Sequence, residues 1–143
     1  SWPRFIITSK GRMTVFKQLL LTLCRSGILN NYEDIWLVGP SGEKIQVRAK
    51  IDTGANRTSV DRSIAEKIGL LATSNVVEYR EFFSGLGREQ RPMVQCQLII
   101  NGVTRSTTVS ISDRSHMKHQ VIVGRQDIQT FLVKPAGQEE THI

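Results

Sequence analysis

Two runs of alternating apolar and polar residues, separated by Asn101-Gly102, constrain the fold of this chain more than any other feature. In residues 93–100 the apolar side chains fall at every second position, and the alternation resumes through residues 103–111. Because successive side chains of a strand point to opposite faces of a sheet, each run predicts a half-buried strand. Asn-Gly favours the tight turn of a hairpin, so the sequence predicts a β-hairpin centred on this dipeptide.

Further strand patterns predict that most of the chain is β-structure. Additional strands are expected at residues 35–38, 44–51, 76–83, 121–123 and 131–133. Two short helices are predicted, one over residues 63–70, capped by Asp61 and stopped by Gly69, and one over residues 126–130. Many short strands with regular turns are typical of a mostly-β sandwich or closed barrel.

The first thirty residues differ from the rest of the chain. Apolar residues recur there at the three- and four-residue spacing of an amphipathic helix: Val15, Phe16, Leu19, Leu20 and Leu23. We therefore divide the chain into an N-terminal extension at 1–30 with this helix, one domain at 31–135 and a polar tail at 136–143. The apolar stretch at residues 15–24 is too short to cross a bilayer, so no integral membrane segment is expected.

Charge and cysteine content bear on the partners and the compartment. The formal net charge of +6 invites a nucleic-acid hypothesis. However, the basic residues are dispersed, and the sequence has no zinc-finger, RNA-recognition or helix-turn-helix motif. We interpret the charge as a solvated basic surface and expect no nucleic-acid partner. Cys24 and Cys96 do not form a metal motif or a disulfide framework, so a cytoplasmic location is expected.

Asp52-Thr53-Gly54 is the motif from which chemistry is expected. It directly follows an alternating strand, so an acidic side chain is presented at a tight turn. One carboxylate is a poor hydrolase alone, whereas two held side by side share a proton. The pair then supplies one base to activate water and one acid to polarise a carbonyl. Since the chain contains a single Asp-Thr-Gly, the second carboxylate must come from another copy of the chain around a two-fold axis.

The order of several motifs resembles the retropepsin family of aspartic proteases, over residues 34–134. Ala-Lys-Ile-Asp-Thr-Gly-Ala at 49–55 is similar to that family's catalytic strand and loop, and residues 58–60 are similar to the segment that follows it. Val-Ile-Val-Gly-Arg at 121–125 resembles the family's hydrophobic-hydrophobic-Gly-Arg element, and residues 82–87 stand where the family has its flap. The resemblance implies a retropepsin-like closed barrel that acts as a homodimer on a peptide or protein substrate.

The resemblance also implies a role for each matching residue. Asp52 would be the catalytic carboxylate, Thr53 would hydrogen-bond across the dimer axis, and Gly54 would let the substrate backbone approach closely. Substrate contacts are implied, in the loop and at the flap, for Ala55, Asn56, Ser84, Gly85, Leu86 and Gly87. Arg125, with Gly124 before it, would brace the active-site loop.

Asn56 is a departure from the viral pattern, because viral members have an acidic residue at this position that pairs with the arginine. Arg125 is therefore expected to hydrogen-bond Asn56, or to pair with Asp61 or Glu66. Asp61 and Asp127 are interpreted as structural carboxylates, the first as a helix cap and the second as a favourable charge early in a helix.

The sequence is also similar to a bacterial and archaeal group named ATP-dependent zinc proteases, but it does not fit that name. His116 and His119 lie in a polar loop without a Glu at the helical spacing that a zinc hydrolase uses, and His142 lies in the tail. The sequence has no phosphate-binding glycine loop either. We expect no metal and no cofactor.

Two functions follow from these features. The first is an aspartic endopeptidase that hydrolyses peptide bonds with a water activated by two Asp52 carboxylates, one per chain, under a flap. The alternative is a catalytically silent peptide-binding or regulatory module on the same fold.

Overall fold

A closed six-stranded β-barrel forms the body of the molecule. The structure is a computed structural model that describes residues 27–85 and 87–135. The strands are β1 (Ile28–Leu29), β2 (Tyr32–Val38), β3 (Lys44–Ile51), β4 (Ser59–Asp61), β5 (Val76–Ser84), β6 (Gly87–Ile100), β7 (Val103–Ser112), β8 (Val121–Val123) and β9 (Leu132–Val133). The helical segments are α1 (Arg62–Lys67) and two short 3₁₀ helices, Thr73–Asn75 and Arg125–Asp127.

Closure of the barrel depends on pairing between strands that are far apart in sequence. The strands follow the order β2-β3-β8-β4-β7-β6, and β2 then pairs with β6 through Trp36 opposite Ile99 and Leu37 opposite Leu98. Closing a sheet on itself satisfies the hydrogen-bonding groups that an open edge would expose. β5 lies outside this ring and pairs with β6 alone, so the two strands form a long hairpin.

The turn between β6 and β7 confirms the predicted hairpin. Ile100 pairs with Val103, and Asn101 and Gly102 have φ angles of 51° and 81°. Positive φ at both central residues is the requirement of the tight hairpin turn that Asn-Gly favours.

The core of the barrel follows from the alternation in the sequence. The strand side chains that point inward and are buried are Ile35, Leu37, Ala49, Ile51, Val60, Val94, Cys96, Leu98, Ile100, Val109, Ile111, Val121 and Val123. α1 adds Ile64 and Ala65 to this core. Burial of a side chain of this size contributes about 1.5–3 kcal/mol relative to exposure, so the alternating pattern determines which face of each strand turns inward.

The mostly-β closed barrel that the sequence predicts is therefore confirmed, and it is consistent with a retropepsin-like barrel. The helix predicted over 126–130 is wrong: a single 3₁₀ turn ends at Asp127, and Ile128 has left helical geometry with φ −128°. Ile128 and Phe131 are buried against the barrel, so packing overrides the local helical preference. The predicted N-terminal helix and the whole of the tail at 136–143 lie outside the described residues. Within them, no helix is long and apolar enough to span a bilayer.

Candidate active site

Asp52 begins a tight loop at the carboxyl end of β3. Its N–H donates to the carbonyl of Val123 at 2.9 Å, and its carbonyl accepts from the N–H of Ala55 at 3.1 Å. The carboxylate oxygen Oδ1 accepts from the N–H of Gly54 at 3.0 Å. These bonds hold the half-buried Asp52 side chain in one orientation at the barrel surface, while Thr53 and Gly54 are exposed. The loop therefore presents a positioned carboxylate beside a backbone that another molecule can approach.

The segment after β8 packs directly on this loop. A Cβ on Gly124 would lie 2.4 Å from the backbone carbon of Arg57, and 2.6 Å from its nitrogen and its oxygen, so only glycine fits. Gly124 has a φ angle of −90°, which any residue can adopt. Glycine is therefore required here because there is no space for a side chain, and not because of the backbone conformation. The close approach allows the N–H of Arg125 to donate to the carbonyl of Ala55 at 2.8 Å, and that of Gln126 to the carbonyl of Asn56 at 3.2 Å.

The Arg125 side chain reaches across the Asp52 loop. Its guanidinium Nη1 donates to the carbonyl of Thr53 at 3.1 Å. The partner is thus a backbone carbonyl of the loop and not Asn56, Asp61 or Glu66, the three partners expected from the sequence. A guanidinium has several donors in a fixed plane, so one of them can hold a carbonyl while the others remain directed to solvent.

Beneath the loop lies a buried polar pair that the sequence analysis missed. Thr58 is completely buried and donates its hydroxyl to Asp127 Oδ2 at 2.5 Å, and the same hydroxyl accepts from the N–H of Gly124 at 3.2 Å. Asp127 is only 2% exposed. Its carboxyl group therefore joins the two chain segments of the site, and Asp127 also lies in the first turn of the 3₁₀ helix, where an acidic residue was expected. The sequence carries no clear signal for this pair, because Thr58 lies between Arg57 and Ser59 and Asp127 lies 69 residues away.

Asp61 is a structural carboxylate, as its position before α1 predicted. It accepts hydrogen bonds from the N–H and hydroxyl of Ser63 and, at 2.6 Å, from the N–H of Arg114. Burial by itself raises the pKa of Asp61, but the hydrogen bonds from Ser63 and Arg114 outweigh it, so the pKa lies below its ordinary value. All of these bonds come from backbone or capping donors, so the observed contacts of Asp61 are structural.

The predicted flap is the far end of the hairpin formed by β5 and β6. Ser84 pairs with Gly87, the tip residue Gly85 is exposed, and Leu86 lies outside the described residues. Gly87 has φ 115°, a conformation that other residues rarely adopt. Ser84, Gly85 and Gly87 therefore lie at the end of the β5–β6 hairpin.

A small two-stranded sheet lies next to the strand that carries Asp52. β1 and β9 pair in parallel, with Ile28 opposite Leu132. These two apolar side chains are 58% and 52% exposed. The carbonyl of Asn31, just after β1, accepts from the N–H of Ile51 at 2.7 Å. Ile28 and Leu132 are thus exposed on a short sheet, and Asn31, three residues after Ile28, hydrogen-bonds to β3 one residue before Asp52.

The other candidate reactive groups of the described residues include His119 and Cys96. In the two described ranges, no group of three His, Cys, Asp or Glu side chains is placed to hold a metal ion. The His119 ring packs on Tyr32, with ring centroids 5.1 Å apart. Cys96 is buried, and burial raises the pKa of its thiol to about 12, so the nucleophilic thiolate is not formed at neutral pH.

Sequence comparisons find no match, either with a protein-family profile or with a curated protein. Among solved structures, the Legionella pneumophila protein Lpg0085 (DUF785, unknown function) is 18% identical and aligns over 77% of this chain and 94% of its own, with a TM-score of 0.48. Simian foamy virus protease is 13% identical and aligns over 68% of this chain and 91% of its own, with a TM-score of 0.49. Both similarities concern the fold, and neither transfers a function to this chain.

Proposed function

We propose that this chain is an aspartic endopeptidase that acts as a homodimer, with one Asp52 carboxylate from each copy. The observation that carries the proposal is the arrangement of the Asp52 loop. A half-buried carboxylate is held by the N–H of Gly54, and the loop behind it is held by Arg125 through the carbonyl of Thr53. Such fixed geometry is what a general acid or base requires, because it must meet the reacting group without further reorganisation.

The exposed apolar pair on the two-stranded sheet of β1 and β9, the terminal sheet, supports a second copy of the chain as the partner. Ile28 and Leu132 are exposed side by side, on strands that pair only with each other among residues 27–85 and 87–135. Two copies that bury this pair around a two-fold axis remove four apolar side chains from water, since an isologous interface uses each surface twice. Because the sheet lies next to the strand that ends at Asp52, the same axis would bring the two Asp52 loops together.

The chemistry follows from two facing carboxylates that share one proton. The ionised carboxylate removes a proton from a water molecule, and the protonated one donates to the carbonyl oxygen of the scissile peptide. The resulting tetrahedral intermediate collapses when the amide nitrogen receives a proton and the C–N bond breaks. Closing of the β5–β6 hairpin over the peptide would exclude bulk water during these steps. Neither a metal ion nor a covalent intermediate takes part.

The proposal is tested by replacing Asp52 with asparagine. D52N retains the size and the hydrogen bond from Gly54 but cannot share a proton, so we expect peptide-library cleavage to fall by at least about a hundredfold. Asp34 is exposed on β2, and D34N provides a matched control that keeps full activity. Activity of the wild-type protein should fall as pH rises and the shared proton is lost.

Sedimentation analysis completes the test, because the dimer must persist in D52N. Cleavage by D52N at the wild-type rate, or a wild-type protein that remains monomeric while it cleaves, would refute the proposal. A dimer that binds peptides without turnover at any pH from 3 to 8 would favour the silent binding module.

A further inference from the structure

A groove on the barrel wall is separate from the Asp52 loop. It lies between β3, α1 and the loop before β8, has a volume of about 540 Å³, and is called here the β3–α1 groove. Ile45, Val47 and Ile64 form its apolar part. Arg48, the lining residue of β3 nearest to Asp52, is four residues before it, or about 13 Å along a strand. The groove is therefore a second concave surface and not part of the proposed catalytic site.

The charged residues of the β3–α1 groove all carry or can accept a positive charge. Arg48, Lys67, Lys118 and His119 contribute to its lining, and no Asp or Glu side chain does so in the described part of the chain. Arg48 contacts Asp34 at 3.4 Å on the exposed surface, whereas neither Lys67 nor Lys118 has an ion-pair partner among the described residues.

The positive charges near this groove act on His119. Burial lowers the pKa of His119, and the positive charges of Lys118, Lys50 and Arg114 lower it further. Several positive charges around one cavity attract an anionic ligand and raise its rate of association.

The neighbouring aromatic rings distinguish between two kinds of anionic ligand. On the adjoining β2–β3 wall, Lys50 lies 5.1 Å and Arg48 5.9 Å from the centre of the Tyr32 ring, and Lys44 lies 4.9 Å from the centre of the Trp36 ring. Single-stranded nucleic acids bind by stacking bases on free aromatic faces. Here cations already cover these rings, so base stacking is disfavoured while charge–charge contact remains available.

We propose that the β3–α1 groove binds an acidic, extended peptide segment of a partner protein. Carboxylates of the segment would contact Arg48, Lys67 and Lys118, and an aliphatic side chain between them would rest on the apolar part of the groove. The proposal goes beyond peptide hydrolysis and does not depend on it, because no group of the Asp52 loop takes part.

The test measures binding of a fluorescein-labelled octapeptide of alternating Glu and Leu by fluorescence anisotropy. All variants carry D52N, so the probe stays intact whether or not the chain is a protease. We expect saturable binding that weakens with added salt, and about tenfold weaker binding for K67Q/K118Q, since two exposed charge contacts are lost. The matched control R62Q/R105Q removes the same charge from other parts of the surface and should bind as the parent does.

Four results would overturn the proposal. The first two are that the Glu-Leu peptide shows no saturable binding, or that the corresponding Gln-Leu peptide binds equally well. The third is that the two double variants weaken peptide binding to the same extent. The fourth is that an octauridylate binds more tightly than the peptide and that K67Q/K118Q abolishes this binding. The last result would identify a nucleic acid as the occupant of the groove. Saturable binding by the D52N parent, weakened in K67Q/K118Q and unchanged in the control variant, supports the groove proposal. This holds even if the cleavage assay shows that the chain is not a protease.

Discussion

Replacement of Thr58 by valine tests whether the buried pair beneath the Asp52 loop holds the site together. Valine has nearly the shape of threonine, so the substitution removes the hydroxyl without leaving a cavity. Two hydrogen bonds are lost: the one donated to Asp127 at 2.5 Å and the one accepted from the N–H of Gly124 at 3.2 Å. A hydrogen bond to a charged group contributes about 1.5–3 kcal/mol and an ordinary one about 1 kcal/mol. Because all three residues are buried, water does not readily replace either bond.

The free energy of unfolding should therefore fall by about 3 kcal/mol, and by more if the Asp127 carboxyl remains without a donor. The assay is urea unfolding followed by far-UV circular dichroism at one fixed chain concentration, with the m-value compared between variants. T58S is the matched control: it keeps the hydroxyl, loses one methyl group, and should cost about 1 kcal/mol. A cycle with D127A isolates the coupling between the two side chains.

The Thr58 hydroxyl does not hold the site together if T58V unfolds within about 0.5 kcal/mol of the wild type, or if T58V is more stable than T58S. Either result would mean that the hydroxyl contributes no net stability to the loop. If T58V loses about 3 kcal/mol but the cycle shows no coupling with Asp127, the lost stability comes from the hydrogen bond with Gly124 instead.

Three further substitutions test other parts of the site. G124A should lower the free energy of unfolding by about 3 kcal/mol in the same urea assay, because a Cβ there would overlap the backbone of Arg57; a neutral effect would refute the close approach. D61N should be destabilising at neutral pH, where the carboxylate binds the N–H of Arg114. Since the pKa of Asp61 is lowered in the folded state, its stabilisation is present above about pH 4 and disappears as pH falls below that value, so the two proteins should converge in stability in acid. L132E should raise the dissociation constant of the proposed dimer by at least about tenfold in sedimentation experiments. An unchanged dissociation constant would show that the terminal sheet is not part of the interface.

Local pattern was sufficient to predict much of the barrel. Alternation over residues 44–51 predicts a strand whose bounds are those of β3, with Ala49 and Ile51 buried. The Asn101-Gly102 dipeptide predicts the β6–β7 turn, because its two residues adopt positive φ at low cost. These predictions succeed because each depends on residues that are neighbours in the chain.

The helix predicted over 126–130 failed for the opposite reason. Local preference favours a helix there, but Ile128 and Phe131 gain more by packing into the core than by continuing helical hydrogen bonds. Likewise, the sequence indicates that Arg125 belongs near the Asp52 loop, yet its bond to the carbonyl of Thr53 depends on how closely two segments approach.

By itself, the sequence determined the strands, the tight hairpin and the position of a carboxylate at the end of β3. Only the tertiary structure decided that Thr58 meets Asp127, 69 residues away, that β1 lies beside β9, and that cations gather around one groove. Strand formation depends on the spacing of neighbouring side chains, whereas these contacts depend on which distant segments the closing of the barrel brings together.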